Sequence, residues 1–155
     1  MTLRLTFRRD DLTGGAIRSL IAHHLAGMHA HSPACSVHAL DVDRLRQPEI
    51  EFWSAWSGAE LVGCGALKRI DALRGELKSM RVADAFLGRG AGKSILAHLT
   101  AEARSRGHTS LWLETGSSPA FAPAIAMYEA AGFARCGPFE GYEEDPFSVY
   151  MTRAL

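Results

Sequence analysis

Residues 87 to 96 read LGRGAGKSIL, with glycines alternating with small or cationic residues just ahead of a helical pattern. Gly92-Lys93-Ser94 has the ending of a nucleotide-binding P-loop, but that motif requires a first glycine where this chain has Leu87, and Gly88 lies too close to the lysine. The dinucleotide fingerprint GxGxxG fails too, because Gly88, Gly90 and Gly92 alternate. What remains is an anion cradle. Small residues let the backbone N–H groups of Gly88, Arg89, Gly90, Ala91, Gly92 and Lys93 approach a phosphate at the positive end of a helix. The side chains of Arg89 and Lys93 add charge-assisted bonds. The competing reading is a plain flexible entry into a helix.

A second concentration of chemistry-bearing residues is HHLAGMHAHSPACSVHAL, which holds five of the seven histidines: His23, His24, His29, His31 and His38. It contains neither HExxH nor a matched Cys/His spacing, so no metal site is expected. The three cysteines, Cys35, Cys64 and Cys136, are odd in number and form no CxxC pair, which reads as reduced thiols in a cytoplasmic protein. Lys and Arg number 17 against 17 Asp and Glu, a balance that argues against nucleic acid as the main partner while leaving room for a local positive pocket. The opening MTLRLTFRRDDL lacks a signal peptide's apolar core, and no apolar run reaches membrane-spanning length, so no membrane partner is expected.

Elements must position these residues. LRLTFRR alternates Leu3, Leu5 and Phe7 with polar neighbours, as a half-buried strand does. DDLTGGAIRSLIAHHLAGM places Ile17, Leu20, Ile21, Leu25 and Met28 at helical spacing, with Asp and Thr near its start as caps. A polar, proline-broken connection follows, and DVDRLRQP adds a short helix before Pro48. IEFWSAW, LVGCGALKRI and ELKSMRVA then read as strands joined by the hairpin turns SGAE and DALRG. A helix runs from Gly90 to about Arg106, SLWLET is a strand, and PAFAPAIAMYEAAG is a helix with its prolines at the start and Gly132 at the end. FARCGPF and FSVYMTRAL close the chain as strands. At 155 residues with 47% hydrophobic content this predicts a single α/β domain over residues 1–155, with a mixed, mostly antiparallel central sheet, helices on both faces, and a βαβ unit around the glycine loop.

The glycine loop, with SMRV before it and AMYEAAGF after it, resembles the GNAT superfamily of acetyl-CoA-dependent N-acetyltransferases. The family's loop pattern falls on Leu87, Gly90 and Gly92; Leu87 departs from its Arg or Gln, and the glycines are intact. The downstream pattern falls on Tyr128, Gly132 and Phe133, with Phe121 where relatives often carry Asn. The order of elements agrees as well, so the resemblance covers nearly the whole chain. It implies that the loop holds the pyrophosphate of coenzyme A.

The resemblance also implies roles. Met80, Arg81 and Val82 lie where the family's strand bulges away from its neighbour and binds the pantetheine arm, and the N–H of Val82 serves there as an oxyanion site. Tyr128 is the implied acid at the departing thiolate, against a reading as a packed core phenol. Glu76 is the implied base; by period-2 alternation it shares a face with Val82, and its competing reading is a salt bridge to Lys68 or Arg69. The segment after the first helix walls the acceptor pocket in relatives, which makes His24, His31, Ser32, Ser36 and His38 candidate substrate contacts beside the default of a polar loop. Tyr142, Glu143, Glu144 and Asp145 in the last hairpin form an acidic lip suited to a cationic amine, or a solvated turn. The implied activity is acetyl transfer from acetyl-CoA, with no metal, to a primary amine of a small molecule. Protein lysine or N-terminal acetylation and a non-catalytic acyl-CoA sensor are the alternatives. A homodimer is the family's common assembly.

Overall fold

The computed structural model describes residues 3–155. Strand β1 (Thr6–Arg9) leads into α1 (Gly15–His31). The acidic residues ahead of α1 cap nothing: Asp10 accepts the N–H of Leu12, Asp11 accepts from Thr13, and the helix starts at Gly14 without a side-chain cap. The short α2 (Val42–Leu45) is capped, Asp41 accepting the Arg44 N–H at 3.0 Å. Three antiparallel strands follow, β2 (Ile50–Ser57), β3 (Glu60–Arg69) and β4 (Arg74–Val82). Next come α3 (Ala91–Ser105), β5 (Ser110–Gly116), a 3-10 turn at Pro119–Phe121, α4 (Ala122–Ala130), β6 (Ala134–Cys136) and β7 (Ser148–Ala154).

The seven strands form one sheet in the order β1-β2-β3-β4-β5-β7-β6. Every neighbouring pair is antiparallel except β4 and β5, which the α3 crossover makes parallel. Strand alternation sends side chains to two apolar layers. Leu67, Leu77, Leu111, Leu113 and Met151 pack with Ile95, Leu96 and Leu99 of α3 and Ile125 and Tyr128 of α4. On the other face Phe52, Cys64 and Ala66 pack with Ile17, Leu20 and Ile21 of α1 and Leu45 of α2. No helix of the described residues is long and apolar enough to cross a membrane.

Candidate active site

The parallel pairing of β4 and β5 runs only from Arg74↔Ser110 to Leu77↔Leu113. Beyond Leu77 the strands part, and the remainder of β4 stays hydrogen-bonded to β3 alone. Ser79 helps to drive this divergence. Its φ of 53° lies in the left-handed region, and the β3–β4 register shifts between Cys64 and Ala66, so β4 has an extra residue there. The shift also changes which side chains share a face. Met80 and Val82 pack with Leu77 on the α3–α4 side, whereas Arg81 lies beneath α1 near Gly27. Glu76 and Val82 therefore do not share a face as simple alternation predicts; an inserted residue inverts the phase. The Ala83 N–H donates to the Val62 carbonyl at 2.8 Å, which turns the N–H of the preceding Val82 away from β3 and into the gap.

Downstream of β4, Gly88 and Gly90 have φ of 74° and 82°, and no atom lies within 4 Å of where a side chain at either would begin. Gly90 is the residue before α3 and offers no side-chain cap, so the first-turn N–H groups of a 15-residue helix face open space beside exposed Arg89 and Lys93. Gly92 serves a different purpose: a Cβ there would sit 3.1 Å from the Met127 sulfur, so its absence lets α3 and α4 approach. Uncapped donors, open glycines and a parted strand pair together fit a phosphate-bearing, extended ligand such as coenzyme A.

Between α1 and the parted strands lies a cavity of about 400 Å³. Its lining includes His24 and His31 of α1, Lys78 to Arg81 of β4, Glu114 of β5, and Phe121 and Tyr128. Tyr128 is buried, which pushes its phenol up to about 12, and its ring meets Phe133 edge-on. Phe121 packs over Gly116, where any Cβ would collide with its ring, and its edge faces His31.

The predicted base sits elsewhere. Glu76 is 3% exposed; its Oε2 accepts from the Tyr142 hydroxyl at 2.6 Å and from Lys78 Nζ at 3.1 Å, and Lys78 also donates to the Tyr142 oxygen at 3.0 Å. The ion pair anticipated with Lys68 or Arg69 is thus made with Lys78, two residues along the same strand. Burial, then the neighbouring Glu76 carboxylate, raises the Tyr142 phenol. The carboxylate that faces the cavity is Glu114, which the sequence reading passed over inside SLWLET. Burial pushes its carboxyl up to about 7; Lys78 opposes this, while Glu76 and Asp145 add to it. It lies on β5 one residue past the last contact paired with β4, a position that only the strand register reveals.

The acceptor candidates divide. His24, His31 and His38 line the cavity, and His38 packs edge-on against Tyr142 at 5.0 Å. Ser32 is only the residue that ends α1, and neither it nor buried Ser36 lines the cavity. Tyr142, Glu143, Glu144 and Asp145 line a shallower pocket with Arg44 and Lys68, which meets the main cavity at His38 and Ala39. Among the described residues no group of three His, Cys, Asp or Glu is placed to hold a metal ion.

Residues 18–133 match the family model described as "Acetyltransferase (GNAT) family". The chain belongs to the GNAT family. It is 52% identical over 146 residues to an uncharacterized N-acetyltransferase, YsnE, of Bacillus subtilis, spanning 94% of this chain and 97% of that one. It is 45% identical over 150 residues to the uncharacterized N-acetyltransferase YedL of Escherichia coli, spanning 97% and 94%. A GNAT family acetyltransferase from Elizabethkingia anophelis, solved with acetyl-CoA bound, shares the fold at a TM-score of 0.73 and 19% identity, over 97% of this chain and 98% of that one. The GNAT chain described here is accordingly an acyltransferase with the family's mixed α/β fold.

Proposed function

We propose that this GNAT enzyme transfers an acetyl group from acetyl-CoA to a primary amine of a small molecule, the amine attacking the thioester directly. The reading is carried by Glu114 and Tyr128 lining one cavity where β4 and β5 separate. Acetyl-CoA supplies the activated acyl group and a thiolate leaving group. The backbone of Met80, Arg81 and Val82 lines its arm along β4, the Arg81 side chain lying on the α1 side, and Gly88 to Lys93 receive its pyrophosphate. Glu114 takes the proton of the incoming ammonium. With a carboxyl near 7 it is mostly ionised at pH 8, yet a far stronger base than an ordinary glutamate. The Val82 N–H points into the gap and stabilises the developing oxyanion. Tyr128 gives its proton to the departing sulfur; a phenol raised to about 12 keeps that proton until it is needed. The ammonium loses its first proton to Glu114, the amine nitrogen then bonds to the thioester carbon, the carbon–sulfur bond breaks with Tyr128 protonating the sulfur, and the second proton lost by the nitrogen restores the Tyr128 phenol. Glu76 holds Lys78 and Tyr142 in place, with no direct part in proton transfer.

The cavity's volume of about 400 Å³, lined by His31, His38 and Phe121 among others, supports a small acceptor over a folded protein surface. Acetyl-CoA added in a thermal-shift titration, beside Mg-ATP, tests the donor. A saturable shift with acetyl-CoA alone is expected, followed by thiol release with amines; a response only to Mg-ATP overturns the reading.

A further inference from the structure

Three residues that line the cavity each carry a buried polar atom with no hydrogen-bond partner: His24 Nδ1, Ser79 Oγ and Arg81 Nε. His24 is 8% exposed, and its imidazole is neutral because burial, reinforced by Arg81 and His23, pushes its pKa down to about 4. Each buried orphan costs about 1–3 kcal/mol, and a ligand that bonded these three would recover that cost. The Arg81 guanidinium is held by Asp84 at 3.4 Å, and Asp84 is in turn bridged to His23 at 3.1 Å, which fixes the arginine while leaving its Nε edge free.

The other cation of the cavity, Lys78, is bonded to buried Glu76 and to Tyr142, whereas Arg81 is paired through one terminal nitrogen with exposed Asp84 and keeps further donors for a ligand. A single guanidinium with a hydroxyl and a neutral imidazole matches a singly charged carboxylate better than a doubly charged phosphate. The pantetheine arm is uncharged and made of amides, so it offers the guanidinium no anion of its own. Glu114 stands on the β5 side of the same cavity, Arg81 and Ser79 on the diverged half of β4 and His24 on α1. Cation and anion on one acceptor would each find a partner.

We propose that the acceptor is an amino acid, its amine directed to Glu114 and its carboxylate held by Arg81, Ser79 and His24. This rests on the acetyltransferase reading above. Met28, Leu77, Met80 and Phe121 leave an apolar wall for the rest of the molecule.

The test is calorimetric, so it does not depend on turnover. The full-length protein saturated with CoA is titrated with the standard amino acids and with their carboxamides, which keep the amine and lose the anion. At least one acid should bind about tenfold or more tighter than its amide, the low end of what a charge-assisted hydrogen bond supplies. Arg81→Gln should bring the pair to within about twofold, Arg81→Lys should keep part of the preference, and His24→Phe should reduce it. Equal binding of acid and amide, a preference that survives Arg81→Gln, or no binding by any of the acids would overturn the proposal. Arg81→Gln weakening CoA itself by the same factor would also overturn it, because the arginine would then serve the donor. Failure of acetyl-CoA to bind the wild-type protein is a separate result, and it falls on the parent reading.

Discussion

Replacing Glu114 by Gln should make the protein more stable and less active, and the size of both effects depends on pH. The folded chain holds the Glu114 proton up to about pH 7, while the unfolded chain releases it near the ordinary 4.5. Folding therefore takes up a proton between those values, and stability declines as pH rises through that window and is flat above it. The gap corresponds to about 3 kcal/mol, and the residue's partial exposure brings the working figure nearer ~2 kcal/mol. Glutamine has no proton to lose and escapes the penalty. For a chain of this size ~2 kcal/mol moves Tm by roughly 6 °C. Thermal melts of both proteins should nearly coincide at pH 5 and separate by about that amount at pH 8, with the variant higher. The same substitution should lower kcat/KM by about 10²–10⁴ and remove the limb near pH 7 from its pH profile. A Tm difference that is constant across pH, or a limb that persists in Glu114→Gln, would refute the assignment of the base and of its raised carboxyl together.

Three other substitutions separate the remaining roles. Tyr128→Phe should cut kcat by about 10–100-fold while acetyl-CoA binding, followed by calorimetry, stays within about twofold. Glu76→Gln should leave Lys78 buried without its counter-charge and lower stability by about 3 kcal/mol in denaturant melts, with any activity loss tracking the fraction unfolded. A pH-dependent kinetic defect at full folding would return Glu76 to the proton pathway. Gly90→Ala must hold a φ of 82° that an L side chain resists by about 1–2 kcal/mol; acetyl-CoA affinity should fall and the melting point with it.

Apolar periodicity and turn chemistry made most of the fold legible. Ile17, Leu20 and Ile21, placed by helical spacing on one face, are buried in the core, and the GNAT motifs marked the glycine loop and Tyr128 without any coordinates. Tertiary choices were not legible. The insertion of β7 between β5 and β6 is a pairing between segments far apart in the chain, and no local pattern encodes it. Nothing in SMRV says that Ser79 adopts a positive φ, because serine is not the residue such a backbone usually selects. Missing that one residue inverted the faces of Met80 and Val82 relative to Glu76. Choosing between Glu76 and Glu114 required knowing where the strand pairing ends: both are glutamates flanked by apolar residues on strands, yet only one faces the open cavity.

Several departures from good local structure lie around the diverged half of β4. The lower half, where Leu77 meets Leu111 and Leu113, is fully packed and paired. From Ser79 onward come a strained φ, a lost strand partner, two orphaned polar atoms and an uncapped helix start, with a third orphan on α1 at His24 and a carboxyl raised against its ordinary range across the cavity on β5. Each of these costs the free protein stability. Their grouping around the diverged half of β4, beside a core that carries the stability, is the pattern expected when binding a donor and an acceptor supplies the missing partners.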